Sequence, residues 1–102
     1  MKRYEAELGA LRERVDAIDT RLLALLNARV AVVRDIYMLK DRQGVPRFNR
    51  ARTEAILQRL VEENPGPLNG QEVRELFMPL LKFFIQRFSD AEASASVEAS
   101  ET

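Results

Sequence analysis

Arg29 interrupts an otherwise apolar helical stripe, and chemistry can begin at that interruption. Leu8, Leu11, Val15, Ile18, Leu22 and Leu25 precede it at alternating spacings of three and four, and Val32, Ile36 and Leu39 follow it. A guanidinium in such a seam must meet an anion, because an unpaired buried charge is costly. Two partners satisfy it: a structural carboxylate that fixes register or oligomeric state, or an anionic ligand. Arg12 and Lys40 stand 28 residues apart, or four heptads, and therefore on nearly the same side of one helix. At 1.5 Å per residue they are about 42 Å apart, too far for one small ligand within one chain. An antiparallel second copy would bring its Arg12 towards the middle or far end of the first. Arg47, Arg50 and Arg52 cluster where a second helix should begin, a place whose free N–H groups already favour anions. Arg47 and Arg50 read as solvated surface. Arg52, one turn from the cap and beside the loop after Lys40, reads as a ligand contact. The pattern predicts a positively charged pocket between helices, suited to a small dianion that the spacing itself does not name.

The elements that must position these groups follow from periodicity and breakers. From about Tyr4 to Gln43 there is no proline, and Gly9 is the only glycine. A heptad-like stripe sustained over more than four repeats predicts a single helix. Leu23, Leu26, Val30 and Val33 widen the stripe, so more than one partner surface is covered. Such a helix, about 38 residues long, would run about 57 Å, whereas a compact domain of this size has a radius of gyration of about 13 Å. The remaining chain cannot cover both ends of the rod, and a second copy is the simplest cover. Gln43-Gly44-Val45-Pro46 ends the helix, with Gly44 placed to adopt positive φ. Asn49 is the expected N-cap of a second helix through about Glu63, with Ile56, Leu57, Leu60 and Val61 as its apolar face. Asn64-Pro65-Gly66-Pro67 is a firm break. Asn69 and Glu72 make a capping pair for a third helix to about Ser89. Pro79 should kink that helix, since it has no N–H for the preceding turn. The reading gives a helical domain over 1–90 and a disordered Ala/Ser/Glu tail over 91–102.

Composition narrows the chemistry. Lysine plus arginine and aspartate plus glutamate both total 16, so no net field draws the chain to nucleic acid or membrane. Arginine far outnumbers lysine, and its planar fork suits bidentate capture of carboxylates. With no cysteine and no histidine, disulfides, thiol nucleophiles, imidazole bases and most transition-metal sites drop out. No signal peptide and no run of about 20 apolar residues is visible, so a soluble cytoplasmic protein is expected.

Leu11-Arg12-Glu13-Arg14-Val15-Asp16-Ala17-Ile18-Asp19, followed by Leu22 to Arg29, resembles the first helix of the all-α (AroQ-class) chorismate mutases. Lys40 falls at that family's spacing, eleven residues after the buried arginine, and Gly44 to Thr53 is similar to the family's next segment. Glu63-Asn64-Pro65-Gly66-Pro67-Leu68 and Leu76-Phe77 resemble especially the mutase domains attached to some bacterial DAHP synthases.

The resemblance implies an all-α fold of three helices, one very long and two shorter, forming an intertwined homodimer with two sites that each use both chains. It implies the pericyclic rearrangement of chorismate, a small dicarboxylate, to prephenate in aromatic amino-acid biosynthesis, with no cofactor or metal. Carried over, Arg29 and Arg12 of the partner subunit grip carboxylates, and Lys40 donates to the ether oxygen. Arg52 binds the ring-side carboxylate or orients the loop, and Ile36 and Leu81 wall the ring. Asn49 stands at the family's aspartate and Thr53 at the glutamate that receives the substrate hydroxyl. Phe84 and Phe88 stand at the family's serine and glutamine or glutamate. They count here as pocket positions, although with Val73, Phe77 and Leu80 they also continue an apolar face. A bulge at Pro79 would shift the later register and bring Arg87 towards the site. Other expectations are a relative acting on isochorismate or the 4-amino-4-deoxy analogue, and a weakened regulatory dimer that partners a DAHP synthase.

Overall fold

The computed structural model describes the backbone of residues 2–101 and the side chains of residues 2–89. Among the described residues there are three α-helices, α1 (Lys2–Gln43), α2 (Arg50–Glu63) and α3 (Gly70–Glu101), and no strand. The tail expected over 91–102 lies outside the fully described residues. By compactness the chain divides into two units, Met1–Leu39 and Lys40–Thr102.

The first unit is α1 without its last turn. The helix has 42 residues, so at 1.5 Å per residue it runs about 63 Å. None of its residues is buried. Leu11, Val15, Ile18, Leu22, Leu25, Val32 and Leu39 of the apolar stripe are all more than half exposed, with Leu25 at 68%. Single exposed leucines are ordinary, but a continuous apolar stripe along a helix marks an interaction surface. Leu26, Arg29, Val30, Val33 and Tyr37 are half-buried.

In the second unit α1 stops where glycine permits it. Gly44 takes φ +67, its N–H donates to the Asp41 carbonyl at 3.2 Å, and the Val45 N–H donates to the Lys40 carbonyl at 2.9 Å. These two bonds form the Schellman pattern, which satisfies carbonyls that the helix end would otherwise orphan. Asn49 caps α2, its side chain accepting from the Arg52 N–H at 3.1 Å. Asn69 and Glu72 cap α3 reciprocally: the Glu72 N–H donates to Asn69 Oδ1 at 2.8 Å, and the Asn69 N–H donates to Glu72 Oε1 at 3.0 Å.

Helices α2 and α3 pack on each other around Leu57, which is fully buried. Val73, Leu81, Phe84 and Phe88 complete this small core. Each such side chain contributes about 1.5–3 kcal/mol relative to exposure. Pro79 sits inside α3, yet the helix is continuous through Ser89. The buried positions keep helical spacing on both sides of it, through Val73, Leu81, Phe84 and Phe88. The expected bulge and register shift are therefore absent, and Arg87 stays on the exposed side. Pro79 and Glu75, whose carbonyl the proline cannot serve, are both exposed, so water can replace the missing N–H. Among the described residues no helix is long and apolar enough to cross a membrane.

Candidate functional site

The residues singled out by sequence fall on both units. Arg12, Arg29 and Ile36 belong to Met1–Leu39, whereas Lys40, Asn49, Arg52, Thr53, Leu81, Phe84 and Phe88 belong to Lys40–Thr102. Arg29 is half-buried, Arg12 is exposed and Ile36 is 45% exposed. Arg12 and Arg29 are 17 positions apart on one helix, about 26 Å. No small dianion bridges them within one chain.

Lys40 lies in the last turn of α1, with its neighbours fixed by the Gly44 turn. Its Nζ donates to the Arg47 carbonyl at 3.0 Å. The Arg47 guanidinium in turn forms two parallel bonds to Asp41, Nε to Oδ1 at 3.0 Å and Nη2 to Oδ2 at 2.6 Å. Its Nη1 donates to the Phe88 carbonyl in α3 at 3.1 Å. The Arg47 hydrogen bond holds the Asp41 carboxyl below its ordinary value; the guanidinium charge adds to this, against an opposing loss of hydration. Arg47 is thus a structural clamp and not the solvated residue expected from sequence: its side chain is only 21% exposed. The sequence signal for the clamp is the pair of opposite charges, Asp41 and Arg47, flanking Gly44-Val45-Pro46. The third partner carries no such signal, being a main-chain oxygen.

The start of α2 is electropositive. Its first turn has no acidic residue, Arg50 and Arg52 project from it exposed, and the helix terminus adds its own partial positive charge. Asn49 serves the cap with its side chain, and Thr53 is half-buried one turn in. Leu81, Phe84 and Phe88 are buried in the α2–α3 core, at 4%, 4% and 9% exposure. The Phe83 and Phe84 rings meet edge to face at 5.9 Å, and the Arg87 guanidinium lies 6.0 Å from the Phe88 ring centroid. At positions 84 and 88, α3 offers only hydrocarbon, as the apolar face through Val73, Phe77 and Leu80 implied. The second unit brings Lys40, Arg47 and the Phe88 backbone into one hydrogen-bonded cluster. Among the described residues no group of three or more acidic, His or Cys side chains could hold a metal ion.

Residues 11–87 match the family described as Chorismate mutase type II. A bifunctional chorismate mutase/prephenate dehydratase of Pseudomonas aeruginosa is 35% identical over 80 residues, covering 74% of this chain and 22% of the relative. A protein of the same name from Stutzerimonas stutzeri is 31% identical over the same length and coverage. The chain therefore spans about a fifth of the length of the curated relatives it matches. Among solved structures, a chorismate mutase (Form I) from Thermus thermophilus superposes with a TM-score of 0.74 at 35% identity, covering 76% of this chain and 98% of that one. The matched stretch contains Arg12, Arg29, Lys40 and Arg52 together, and the chain belongs to the chorismate mutase type II family of isomerases.

Proposed function

We propose that the chain converts chorismate to prephenate as an intertwined homodimer with two sites, each built from both copies. The observation that carries this reading is the family match over 11–87, which includes all four cationic positions in their expected order. The exposed apolar stripe of α1 supports the dimer, because a second copy supplies an antiparallel apolar surface of equal length.

The reaction breaks one C–O bond and forms one C–C bond in a single pericyclic shift. It needs no nucleophile and no proton shuttle, which suits a chain without cysteine or histidine. Catalysis then consists of holding the compact conformer and stabilising charge that builds on the ether oxygen. Arg29 and Arg12 of the partner subunit clamp the carboxylates bidentately. Lys40 donates to the ether oxygen, and Arg52, at the electropositive start of α2, takes the ring-side carboxylate or orients the loop. Ile36 walls the ring and Asn49 and Thr53 line the hydroxyl side, while Leu81, Phe84 and Phe88 back the site from the α2–α3 core.

Phe84 and Phe88 make this a weakened version of the device. Without a second donor to the ether oxygen, the rate should fall by about 10²–10³ relative to a site that has one. Together with Thr53, these two residues favour the second reading: the pocket takes isochorismate or 4-amino-4-deoxychorismate, or binds ligand for regulation of a partner enzyme. A DAHP synthase as that partner rests on Glu63 to Leu68 and Leu76-Phe77 alone. The relatives from P. aeruginosa and S. stutzeri are named for a prephenate dehydratase joined to the mutase. A cytoplasmic location is part of the same proposal.

The test is prephenate formation by the purified chain, with Arg29→Ala as the control. Prephenate formed by the wild type and abolished by Arg29→Ala supports the mutase. Binding of chorismate without turnover supports regulation. Undiminished activity in a folded Arg29→Ala protein refutes the proposed clamp.

A further inference from the structure

We propose that Arg47 is a positioning residue for Lys40, acting through its own main-chain carbonyl. The proposal rests on the reading of Lys40 as the ether-oxygen donor and adds the group that aims it.

A lysine ammonium is a compact charge on a flexible four-carbon stem, with three equivalent donors. Left alone it samples many rotamers, and an active site must restrict them before it reacts. Here one donor is committed to the Arg47 carbonyl at 3.0 Å. That bond sets the directions of the other two.

The carbonyl is fixed in turn by the Arg47 side chain. Nε and Nη2 take both oxygens of Asp41 at 3.0 and 2.6 Å, and Nη1 takes the Phe88 carbonyl at 3.1 Å. Asp41 is the residue after Lys40, so the ion pair closes a short ring of chain around the ammonium's acceptor. The Phe88 bond ties that ring to α3, whose side chain at the same position is buried in the core. Arg47 itself is poorly placed to hold a substrate carboxylate. Its side chain is 21% exposed, and both edges of its fork are engaged within the protein.

Two substitutions separate aiming from folding. Arg47→Leu keeps the carbonyl but removes the clamp, and Asp41→Asn removes the charge at an exposed position without changing shape. Each should lower kcat roughly tenfold and change KM less than about twofold, as expected when a transition-state donor is misplaced. In a Lys40→Ala background the same substitutions should cause no further loss, since two residues acting through one atom are not additive. Equal fold losses in both backgrounds overturn the proposal.

A second readout needs no turnover. The chain has three lysines, Lys2, Lys40 and Lys82, so the ¹⁵N resonance of the Lys40 ammonium can be assigned with Lys40→Arg. A slowly exchanging Lys40 signal in the wild type that is lost in Asp41→Asn upholds the aiming role. Its persistence in Asp41→Asn, or its absence from the wild type, overturns it. If the wild-type chain forms no prephenate, the mutase reading falls, and the ammonium signal still decides whether Arg47 holds Lys40. Should Arg47→Leu fail to fold, Asp41→Asn carries both measurements.

Discussion

Asp41 and Arg47 face each other across the turn that ends α1, joined by parallel hydrogen bonds of 3.0 and 2.6 Å. The fork geometry makes this more than a chance surface pair, because a bidentate contact fixes orientation as well as distance. It also gives the turn a defined response to pH. Asp41 is held below its ordinary carboxylate value by the Arg47 hydrogen bond. A carboxyl whose folded-state value is depressed stabilises the fold above its unfolded value, and that contribution is lost as pH falls through the lower folded one. The denaturation difference between wild type and Asp41→Asn should stay constant from neutral pH down to about 5 and shrink below about 4. A difference that is flat down to acid unfolding would mean that the pair carries no linkage.

Gly44 holds the same turn by backbone conformation. Its φ is +67, and a Cβ built there meets nothing within 4 Å. The cost of Gly44→Ala is therefore conformational and not steric, about 1–2 kcal/mol for a side chain in the left-handed region. Gly44→Asn should cost less, since asparagine tolerates that region. Urea denaturation of the three proteins checks the order: glycine, then asparagine, then alanine. If alanine equals glycine, the turn has relaxed to another conformation.

The cap of α3 is a separate local device. Asn69 and Glu72 exchange bonds of 2.8 and 3.0 Å. Asn69→Ala should cost about 1 kcal/mol, and Asn69→Gly only a few tenths. In a domain of this size that corresponds to a fall in Tm of roughly 4–8 °C for the alanine variant. Thermal unfolding followed by circular dichroism reads this directly. An alanine variant that melts with the wild type would show the capping pair to be dispensable.

These local features are legible in the sequence because their signals are local. Gly44, Asn49 and the Asn69–Glu72 pair each announce a helix end within four residues, and the stripe from Leu8 to Leu39 announces one long helix. Arg47 reads as solvated surface in the sequence partly because one of its partners, the Phe88 carbonyl, lies on α3 and has no side-chain signature. The structure also removes an expectation at Pro79. A proline inside a helix can bend it or shift its register, and sequence does not say which compensation wins. Here the buried spacing of Val73, Leu81, Phe84 and Phe88 holds the register across it. With the register intact, Phe84 and Phe88 stay in the core and Arg87 stays exposed. Arg12 and Arg29 are recognisable as types and spacings, but at about 26 Å along one helix a chain cannot bring its own Arg12 to its Arg29.

Mixed dimers decide whether Arg12 acts across chains. If each site combines Arg29 of one chain with Arg12 of the partner subunit, Arg12→Ala and Arg29→Ala homodimers are both inactive. A heterodimer of the two variants contains one site with both arginines intact and one with neither. Equal mixing after unfolding and refolding gives about half heterodimers if exchange is random, so about a quarter of wild-type activity should return. If Arg12 instead serves the site of its own chain, both heterodimer sites are damaged and no activity returns. The outcome also reads the architecture of α1. A protein that sediments as a monomer at every concentration could not complement at all, and the exposed stripe from Leu11 to Leu39 would then need another cover.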